Sequence, residues 1–250
     1  MLGEELGVHV ECVEPAPDRS HEVAGKYSTD TPILIQGAKA CKLLNSNPNF
    51  GGEFDLVGFS QGTIISRYII QYCNLKGTVR NFLSFGGPLS GQFAQSCDFF
   101  DISCHLDRWH SNYVAFSDDK LEHWAPASYW NDPSHYQRYL SRSPFLAEAN
   151  NEINYSEDRK QRFLDIERAL FIRFEQETTI VPPESSWWGG YDKYGNIITR
   201  NQTQVYNDDL IGIKTLEDQG RATFATLPGR HVQVTREDVL NVVIPFILGN

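Results

Sequence analysis

Residues 55–65 carry the pattern that most constrains the fold of this 250-residue chain. Leu56 and Val57 end a short apolar run, which leads into a Gly-x-Ser-x-Gly pentapeptide, GFSQG, at residues 58–62. Beyond it, apolar side chains recur at the spacing of one helix face: Ile64, Ile65, Tyr68, Ile69 and Tyr72. The pattern predicts a buried strand, a sharp turn that holds Ser60, and a helix.

The chemistry of such a turn depends on how closely its strand and helix approach. We expect Gly58 and Gly62 to have no room for a side chain, because the two backbones meet on either side of the serine. The turn would hold the Ser60 hydroxyl out of the sheet at the helix N-terminus, with the backbone N–H of Gln61 facing a developing oxyanion. The context therefore predicts a nucleophilic serine, and a chance pentapeptide in a Gly/Ser turn is the alternative.

Strand and helix signals alternate along much of the chain, which favours an α/β fold with a doubly wound, mostly parallel sheet. Before the turn, the sequence predicts the end of a helix over residues 1–7, a strand over 8–13, a surface loop over 14–31 and a helix over 32–44. After it, the sequence predicts a strand over 79–85, a helix over 156–169, a strand over 170–174, a hairpin around 194–196 and a last helix opened by a Thr235–Asp238 capping box.

Residues 89–153 depart from this alternation. They are rich in aromatic side chains, carry little strand signal and contain three prolines, Pro126, Pro133 and Pro144. We predict a helical insertion within a single domain that spans residues 1–250. By analogy with other proteins of this architecture the insertion would form the lid or groove for a substrate, and additional packing is the alternative.

The charge of the chain excludes two classes of partner. The formal net charge is −10, which argues against nucleic acid and against an anionic membrane surface. No apolar run approaches the roughly 18–20 residues that a transmembrane span requires.

The cysteines and two sequons bear on the cellular compartment. The five cysteines form no Cys-x-x-Cys pair: Cys12, Cys41, Cys73, Cys97 and Cys104. A set of residues that could form a metal cluster has no familiar zinc spacing, so no metal site is predicted: Cys97, Cys104, His105 and His110. Two disulfides with one odd thiol are the favoured interpretation, and sequons at Asn154 and Asn201 also favour an oxidising compartment.

The first residues conflict with that compartment. Residues 1–6 are acidic and have no apolar segment of a signal peptide. Either the protein is cytosolic with reduced cysteines, or the front of the natural chain is missing.

A serine, two acids and a histidine that could act together in catalysis follow one another along the chain in a characteristic order. Ser60 comes first, and Glu175 and Glu177 follow the strand predicted over residues 170–174. His231 lies in a loop before the last predicted helix. Serine, then acid, then histidine is the chain order of a hydrolytic triad on an α/β sheet.

Motifs along nearly the whole chain resemble one known family. They are GFSQG at 58–62, SFGG at 84–87, YWNDP at 129–133, TIVPPESSW at 179–187, GRHVQ at 229–233 and IPF at 244–246. In this collinear order they resemble the lysosomal palmitoyl-protein thioesterases.

The resemblance implies an α/β-hydrolase that removes long-chain fatty acyl groups from S-palmitoylated proteins or peptides and needs no cofactor. Ser60 would be the nucleophile and His231 the general base. The family uses an Asp as the acid, and Glu177 stands at that place here, which is a departure. The resemblance also implies two disulfides, Cys41–Cys73 and Cys97–Cys104, a glycan on Asn154 and a lysosomal or secreted protein, with Cys12 left without a partner.

A second departure concerns the start of the chain. Family members carry an N-terminal strand and a His-Gly loop that donates the other oxyanion N–H, and neither precedes residue 1. We therefore expect a truncated sequence. The alternatives are a general carboxylesterase or lipase of the same fold, and an inactive homologue that only binds lipidated peptides.

Overall fold

The computed structural model describes residues 2–18, 20–93 and 114–249. Its strands are β1 (Glu53–Phe59), β2 (Thr78–Phe85), β3 (Arg168–Gln176), β4 (Gly190–Tyr191), β5 (Ile197–Ile198) and β6 (Ala222–Arg230). Four of them form one parallel sheet in the order β1-β2-β3-β6, and β4 pairs with β5 in the predicted antiparallel hairpin.

Helices surround the sheet on both faces. In chain order they are α1 (Leu2–Leu6), α2 (His21–Asp30), α3 (Ile33–Ser46), α4 (Gln61–Tyr72), α5 (Asp118–His123), α6 (Tyr136–Arg142), α7 (Leu146–Ala149), α8 (Glu157–Leu164), α9 (Gln204–Asn207), α10 (Ile213–Asp218), α11 (Arg236–Asp238) and α12 (Ile244–Leu248). A π-helical turn, Val239–Val243, joins α11 to α12. Short 3-10 turns lie at Pro48–Phe50, Ala125–Tyr129, Pro133–His135, Pro183–Trp187 and Arg200–Gln202.

Neighbouring side chains along the central strands enter two different apolar cores. Phe82 packs into the core that contains α3, α4 and α8, whereas Leu83 packs into the core that contains α1 and the C-terminal helix. In β3, Phe171 and Ile172 are divided between the cores in the same way. This alternation, with both faces of a parallel sheet covered by helices, confirms the predicted α/β fold with a mostly parallel sheet.

Helix α4 is buried around most of its circumference. Ile64 and Ile69 are buried as the apolar stripe predicted, but Ser66, Arg67 and Gln71 are buried as well. The guanidinium of Arg67 donates hydrogen bonds to carbonyl oxygens of residues 89 and 149, at either end of the segment between β2 and α8. That segment covers the polar side of α4. The apolar stripe in the sequence therefore predicts less burial of this helix than the structure shows.

The described part of the segment between β2 and β3 consists of short helices and turns. Its own apolar core includes Phe116, Trp130, Tyr139 and Phe145, each 2% exposed or less. Ile64 of α4 belongs to the same core. The segment is therefore attached to the helix that follows the Gly-x-Ser-x-Gly turn.

Two predictions for the first thirty residues were wrong. Residues 8–13 form no strand, and Val8 and Val10 are 53% and 59% exposed. Apolar residues that alternate with polar ones become a strand only with a hydrogen-bonded neighbour, and no strand in the described part of the chain pairs with them. The predicted loop over 14–31 contains α2, because a single Gly25 within ten residues does not prevent a helix.

Two further features differ from the predictions: the end of one helix and the presence of one strand. The helix that Ser156 caps ends at Leu164 rather than at Ala169, because β3 begins at Arg168. Strand β6 was not predicted, since Pro228 and Gly229 are turn signals. Both are tolerated there because β6 is an edge of the described sheet.

One disulfide lies within the described residues. Cys41 of α3 and Cys73, which caps α4, are bonded with their Cα atoms 5.9 Å apart, so that prediction is confirmed. Cys97 and Cys104 lie outside the described residues, and Cys12 is exposed and forms no disulfide with a described cysteine. In the part of the chain that the structure describes, no helix has the length and apolar content to cross a bilayer.

Candidate active site

Ser60 lies on a strained turn between β1 and α4. Its backbone has φ 51° and ψ −124°, outside the helical region that begins at Gln61. The Ser60 N–H donates to the carbonyl of Phe85 at 2.8 Å, and the Thr63 hydroxyl donates to the Ser60 carbonyl at 2.7 Å. These bonds hold a non-glycine residue at positive φ, a conformation that is found at functional turns.

The two glycines of the pentapeptide do not share one role. A Cβ on Gly58 would lie 2.7 Å from the backbone N and Cα of Thr63, so any side chain would collide with the first turn of α4. A Cβ on Gly62 would meet nothing within 4 Å. The prediction that both glycines are required sterically is therefore wrong for Gly62, because this residue turns its open side away from the strand.

His231 follows the last residue of β6 and faces Ser60. Its Nε2 lies 2.8 Å from Ser60 Oγ, and its side chain is 17% exposed. The imidazole packs edge to face with Phe174, with ring centroids 6.5 Å apart. Gly86, at φ +57°, lies beside both rings, and a Cβ there would stand 3.1 Å from Phe174 Cε2 and 3.2 Å from Nδ1 and Cε1 of His231.

Glu177 continues the line of hydrogen bonds behind the histidine. Its Oε2 lies 2.6 Å from His231 Nδ1, and its carboxyl group has no exposed surface. Oε1 accepts hydrogen bonds from the N–H groups of Thr179 at 2.8 Å and Ile180 at 3.0 Å. Glu175, the other acid predicted near this place, is exposed.

The Glu177 carboxyl keeps its negative charge despite burial. Burial by itself raises its pKa, but the hydrogen bonds from His231, Ile180 and Thr179 favour the charged form more strongly. The net result is a pKa below the ordinary value. A buried, ionised carboxylate beside an imidazole is suited to orient the ring and to stabilise an imidazolium.

The residue after the serine is fixed by its own side chain. Gln61 Nε2 donates to the carbonyl oxygen of Ser28 at 2.8 Å, and its Oε1 accepts from the Tyr129 hydroxyl at 2.9 Å. Gln61 thereby connects α2 to the segment between β2 and β3. Its backbone N–H belongs to the first turn of α4, where N–H groups lack intrahelical acceptors and favour negative charge.

Sequence reasoning missed the supporting contacts of this site. Gly86 was noted only as part of a family-like motif, although its positive φ and its contact with His231 depend on the fold. The side-chain bonds of Gln61 join residues that are 33 and 68 positions apart, and no local pattern signals such pairs.

Other predicted residues lie apart from the hydrogen-bonded Ser60, His231 and Glu177. Asn154 and Asn201 are exposed, at the sequons. The four residues considered as a metal cluster lie outside the described residues, and within residues 2–18, 20–93 and 114–249 no group of three or more His, Cys, Asp or Glu is placed to hold a metal ion.

A cavity of about 790 Å³ lies between the insertion and the segment that follows β3. Its wall includes Phe93, Tyr136, Tyr191 and Val205, but Ser60, Glu177 and His231 are not among the lining residues. The cavity is therefore separate from the serine, histidine and glutamate.

The chain is similar to a known protein family over almost its whole length. The family model described as palmitoyl protein thioesterase matches residues 2–231. Palmitoyl-protein thioesterase 1 of Caenorhabditis elegans is 31% identical over 242 residues, which cover 95% of this chain and 80% of that protein. Palmitoyl-protein thioesterase 3 of Dictyostelium discoideum is 30% identical over 225 residues, covering 87% and 76%.

A third relative has a different name. Lysosomal thioesterase PPT2-B of Xenopus laevis is 27% identical over 182 residues, which cover 70% of this chain and 60% of that protein. These matches agree with the parallel sheet and with the serine turn. The chain belongs to the palmitoyl protein thioesterase family, and it is a thioester hydrolase.

Proposed function

We propose that this chain hydrolyses long-chain fatty acyl thioesters on the cysteines of S-palmitoylated proteins or peptides, with Ser60, His231 and Glu177 as its catalytic triad. The observation that carries the proposal is the unbroken line from Ser60 Oγ to His231 Nε2 at 2.8 Å and from His231 Nδ1 to Glu177 Oε2 at 2.6 Å. Each partner lies within hydrogen-bonding reach of the next, as nucleophilic catalysis requires.

In the first half-reaction Ser60 forms an ester with the acyl group. His231 Nε2 takes the hydroxyl proton while Oγ bonds to the thioester carbonyl carbon, and the carbonyl oxygen becomes an oxyanion. The N–H of Gln61 donates to that oxygen. The C–S bond then breaks, and the cysteine leaves with the proton returned from His231.

In the second half-reaction water replaces the thiol. His231 removes a proton from the water, whose oxygen attacks the acyl-serine carbonyl. The bond to Ser60 Oγ breaks, and the serine recovers its proton from the histidine. Because a thiol has a pKa of about 8.5, its departure needs less protonation than an amine's, and stabilisation of the oxyanion is the greater demand.

The acid in this proposal is a glutamate. Glu177 reaches the imidazole from the end of β3, where the register with β6 shifts between Phe174 and Gln176. The two N–H donors on its other oxygen support the assignment.

We also propose that the insertion over residues 89–153 provides the groove for the acyl chain. Three features support it: the insertion is attached to α4, its Tyr129 contacts Gln61, and it contributes an apolar core of its own. The cavity described above does not reach Ser60, so it is not offered as this groove.

We propose a lysosomal or secreted location. The Xenopus relative is named a lysosomal thioesterase. The Cys41–Cys73 disulfide supports an oxidising compartment, and the exposed Asn154 and Asn201 leave room for glycans.

The test measures acyl transfer at Ser60 directly. A fluorophosphonate probe should label the wild-type chain, and Ser60→Ala should abolish labelling and lower thioesterase activity by at least about a thousandfold. A palmitoyl peptide thioester and its matched oxygen ester, assayed side by side, separate a thioesterase from a general esterase. Full turnover by Ser60→Ala would overturn the assignment, and a preference for the oxygen ester would overturn the substrate class.

A further inference from the structure

We propose that Gln92 is a positioning residue for the catalytic acid, and this inference rests on the proposed role of Glu177. Gln92 lies beyond the end of β2, near the start of the insertion, and it is 8% exposed. Its side-chain amide binds residues 179–181, the loop that holds the Glu177 carboxylate and that we call the acid loop. Because these bonds go to the loop whose N–H groups hold the carboxylate, its effect would pass through the acid.

Both ends of the Gln92 amide bind that loop. Nε2 donates to the carbonyl oxygen of Thr179 at 3.2 Å, and Oε1 accepts from the N–H of Val181 at 3.1 Å. The residues in this loop, Thr179 and Ile180, donate the two N–H bonds that Glu177 Oε1 accepts. One amide therefore fixes the peptide units on both sides of Ile180.

The backbone around Gln92 ties the same loop to the insertion. The N–H of Phe93 donates to the carbonyl of Val181 at 3.0 Å. Gln92 itself accepts from the N–H of Asn131 at 2.9 Å and donates to the carbonyl of Tyr129 at 2.8 Å. Gln92 thus stands between the acid loop and the same Tyr129 that contacts Gln61.

Chemistry explains why an amide suits this place. The loop presents one carbonyl acceptor and one N–H donor to the same buried side chain, and only a group with both a donor and an acceptor satisfies them together. A methionine of similar length would fill the space but leave both loop groups without that partner. The loop would then hold the Glu177 carboxylate less firmly, and displacement of a catalytic group by about 1 Å can lower a rate by about a hundredfold.

The first experiment compares Gln92→Met with a matched change elsewhere. Gln71 is also buried, at 2% exposed, and its Nε2 donates to the carbonyl of Ala149 at 2.7 Å, but it has no bond to the acid loop. We expect Gln92→Met to lower kcat for a palmitoyl peptide thioester by about tenfold to a hundredfold with KM little changed. Gln71→Met should leave kcat close to wild type, and thermal unfolding of both variants identifies any general loss of structure.

A double-mutant cycle with Glu177→Ala then asks whether the effect passes through the acid. Contacts that act through one group are not additive. If Gln92 works by holding Glu177, then Gln92→Met should lower kcat in the wild-type chain and cause no further loss in the Glu177→Ala chain. Fluorophosphonate labelling rates of the same four chains give a readout that does not depend on binding of the acyl chain.

The outcomes separate this inference from the proposed function. Equal losses in both backgrounds, or no loss in the wild-type background, would overturn the role of Gln92 while a large effect of Glu177→Ala keeps the triad. A silent Glu177→Ala would overturn the acid of the triad and the positioning role together.

Discussion

Gly86 lies so close to His231 that a side chain on it would press against the imidazole. Gly86 has φ +57°, and a Cβ built there would stand 3.2 Å from Nδ1 and Cε1 of the imidazole. Its N–H donates to the carbonyl of Ile172 at 2.8 Å, so the backbone cannot simply move away from the ring. The end of β2 therefore helps to set the position of the histidine between Ser60 and Glu177.

Replacement of Gly86 by alanine should reduce activity through this contact. A methyl group would press on the His231 ring, and we expect thioesterase activity to fall by about tenfold to a hundredfold. The positive φ adds about 1–2 kcal/mol of backbone strain. The measurement is kcat/KM with a palmitoyl peptide thioester.

Gly195→Ala is the control for strain alone. Gly195 has φ +84° at the hairpin between β4 and β5, and a Cβ there meets nothing within 4 Å. It should lose a similar free energy of unfolding and keep full activity. Equal loss of activity in both variants would show that the contact with His231 is not the cause.

The two pentapeptide glycines should respond in opposite directions to the same substitution. Gly58→Ala places a methyl group 2.7 Å from the backbone of Thr63, and we expect a loss of about 1–3 kcal/mol in the free energy of unfolding. Gly62→Ala adds a methyl group in open space within α4, and it should stabilise the protein by up to about 1 kcal/mol. Urea unfolding of both variants checks this, and equal destabilisation would contradict it.

These contrasts show what sequence reasoning could and could not reach. The strand, turn and helix around Ser60 were predicted because all their signals lie close together in the sequence, between Leu56 and Tyr72. The acid was expected at the end of a predicted strand, and the histidine in a loop before the last predicted helix. By contrast, the freedom of Gly62, the contact of Gly86 and the amide of Gln92 depend on which distant backbones come together.

The predictions of secondary structure were wrong in two places for a related reason. Residues 8–13 have the alternation of a strand, but a strand is stabilised by a neighbour that a local pattern cannot supply. Strand β6 was missed for the opposite reason. Pro228 and Gly229 are typical of a turn, but they lie on an edge strand of the described sheet, where a missing N–H is tolerated. In both places tertiary pairing decides against local propensity.

The stability of the protein should depend on pH through Glu177. Hydrogen bonds from His231, Ile180 and Thr179 outweigh burial and hold its pKa below the ordinary value of 4.5. A carboxyl group with a depressed pKa stabilises the folded state above its unfolded pKa, and this contribution is lost as the pH falls through the folded pKa. We expect wild type to lose more unfolding free energy than Glu177→Gln as the pH is lowered from about 5 toward 3. Parallel urea-unfolding curves across that range would contradict the assignment.

Arg67 should be among the most sensitive positions for stability. Its guanidinium is fully buried and donates to the carbonyls of Leu89 at 2.9 Å and Ala149 at 3.1 Å and to Asn150 Oδ1 at 2.9 Å. Burial lowers the pKa of Arg67 to about 10, which still leaves it charged at neutral pH. Arg67→Met would leave three buried acceptors without this donor, and we expect a loss of about 3–5 kcal/mol.

The control is an exposed arginine. Arg236, whose side chain is 69% exposed, pairs with Glu5, and removal of such a surface pair should change stability by less than about 1 kcal/mol. Denaturant unfolding of Arg67→Met and Arg236→Ala compares the two directly. Similar losses would show that the connections of Arg67 to the insertion contribute little.

The Cys41–Cys73 disulfide should stabilise the protein by an amount that grows with the logarithm of the length of the loop that it closes. The two cysteines are 32 residues apart, and a cross-link of that span reduces the entropy of the unfolded chain by an amount worth about 3–4 kcal/mol at 25 °C. The double change Cys41→Ala and Cys73→Ala should lower the free energy of unfolding by about that amount, and reduction of the wild-type chain should have a similar effect. Cys12→Ser is the matched control, since Cys12 is exposed and forms no disulfide with a described cysteine.

The disulfide joins α3 to the far end of α4 and not to the serine turn. Its loss should therefore lower the melting temperature without slowing fluorophosphonate labelling of Ser60 at a temperature where the chain remains folded. Slower labelling under those conditions would instead mean that the disulfide helps to hold the serine turn itself.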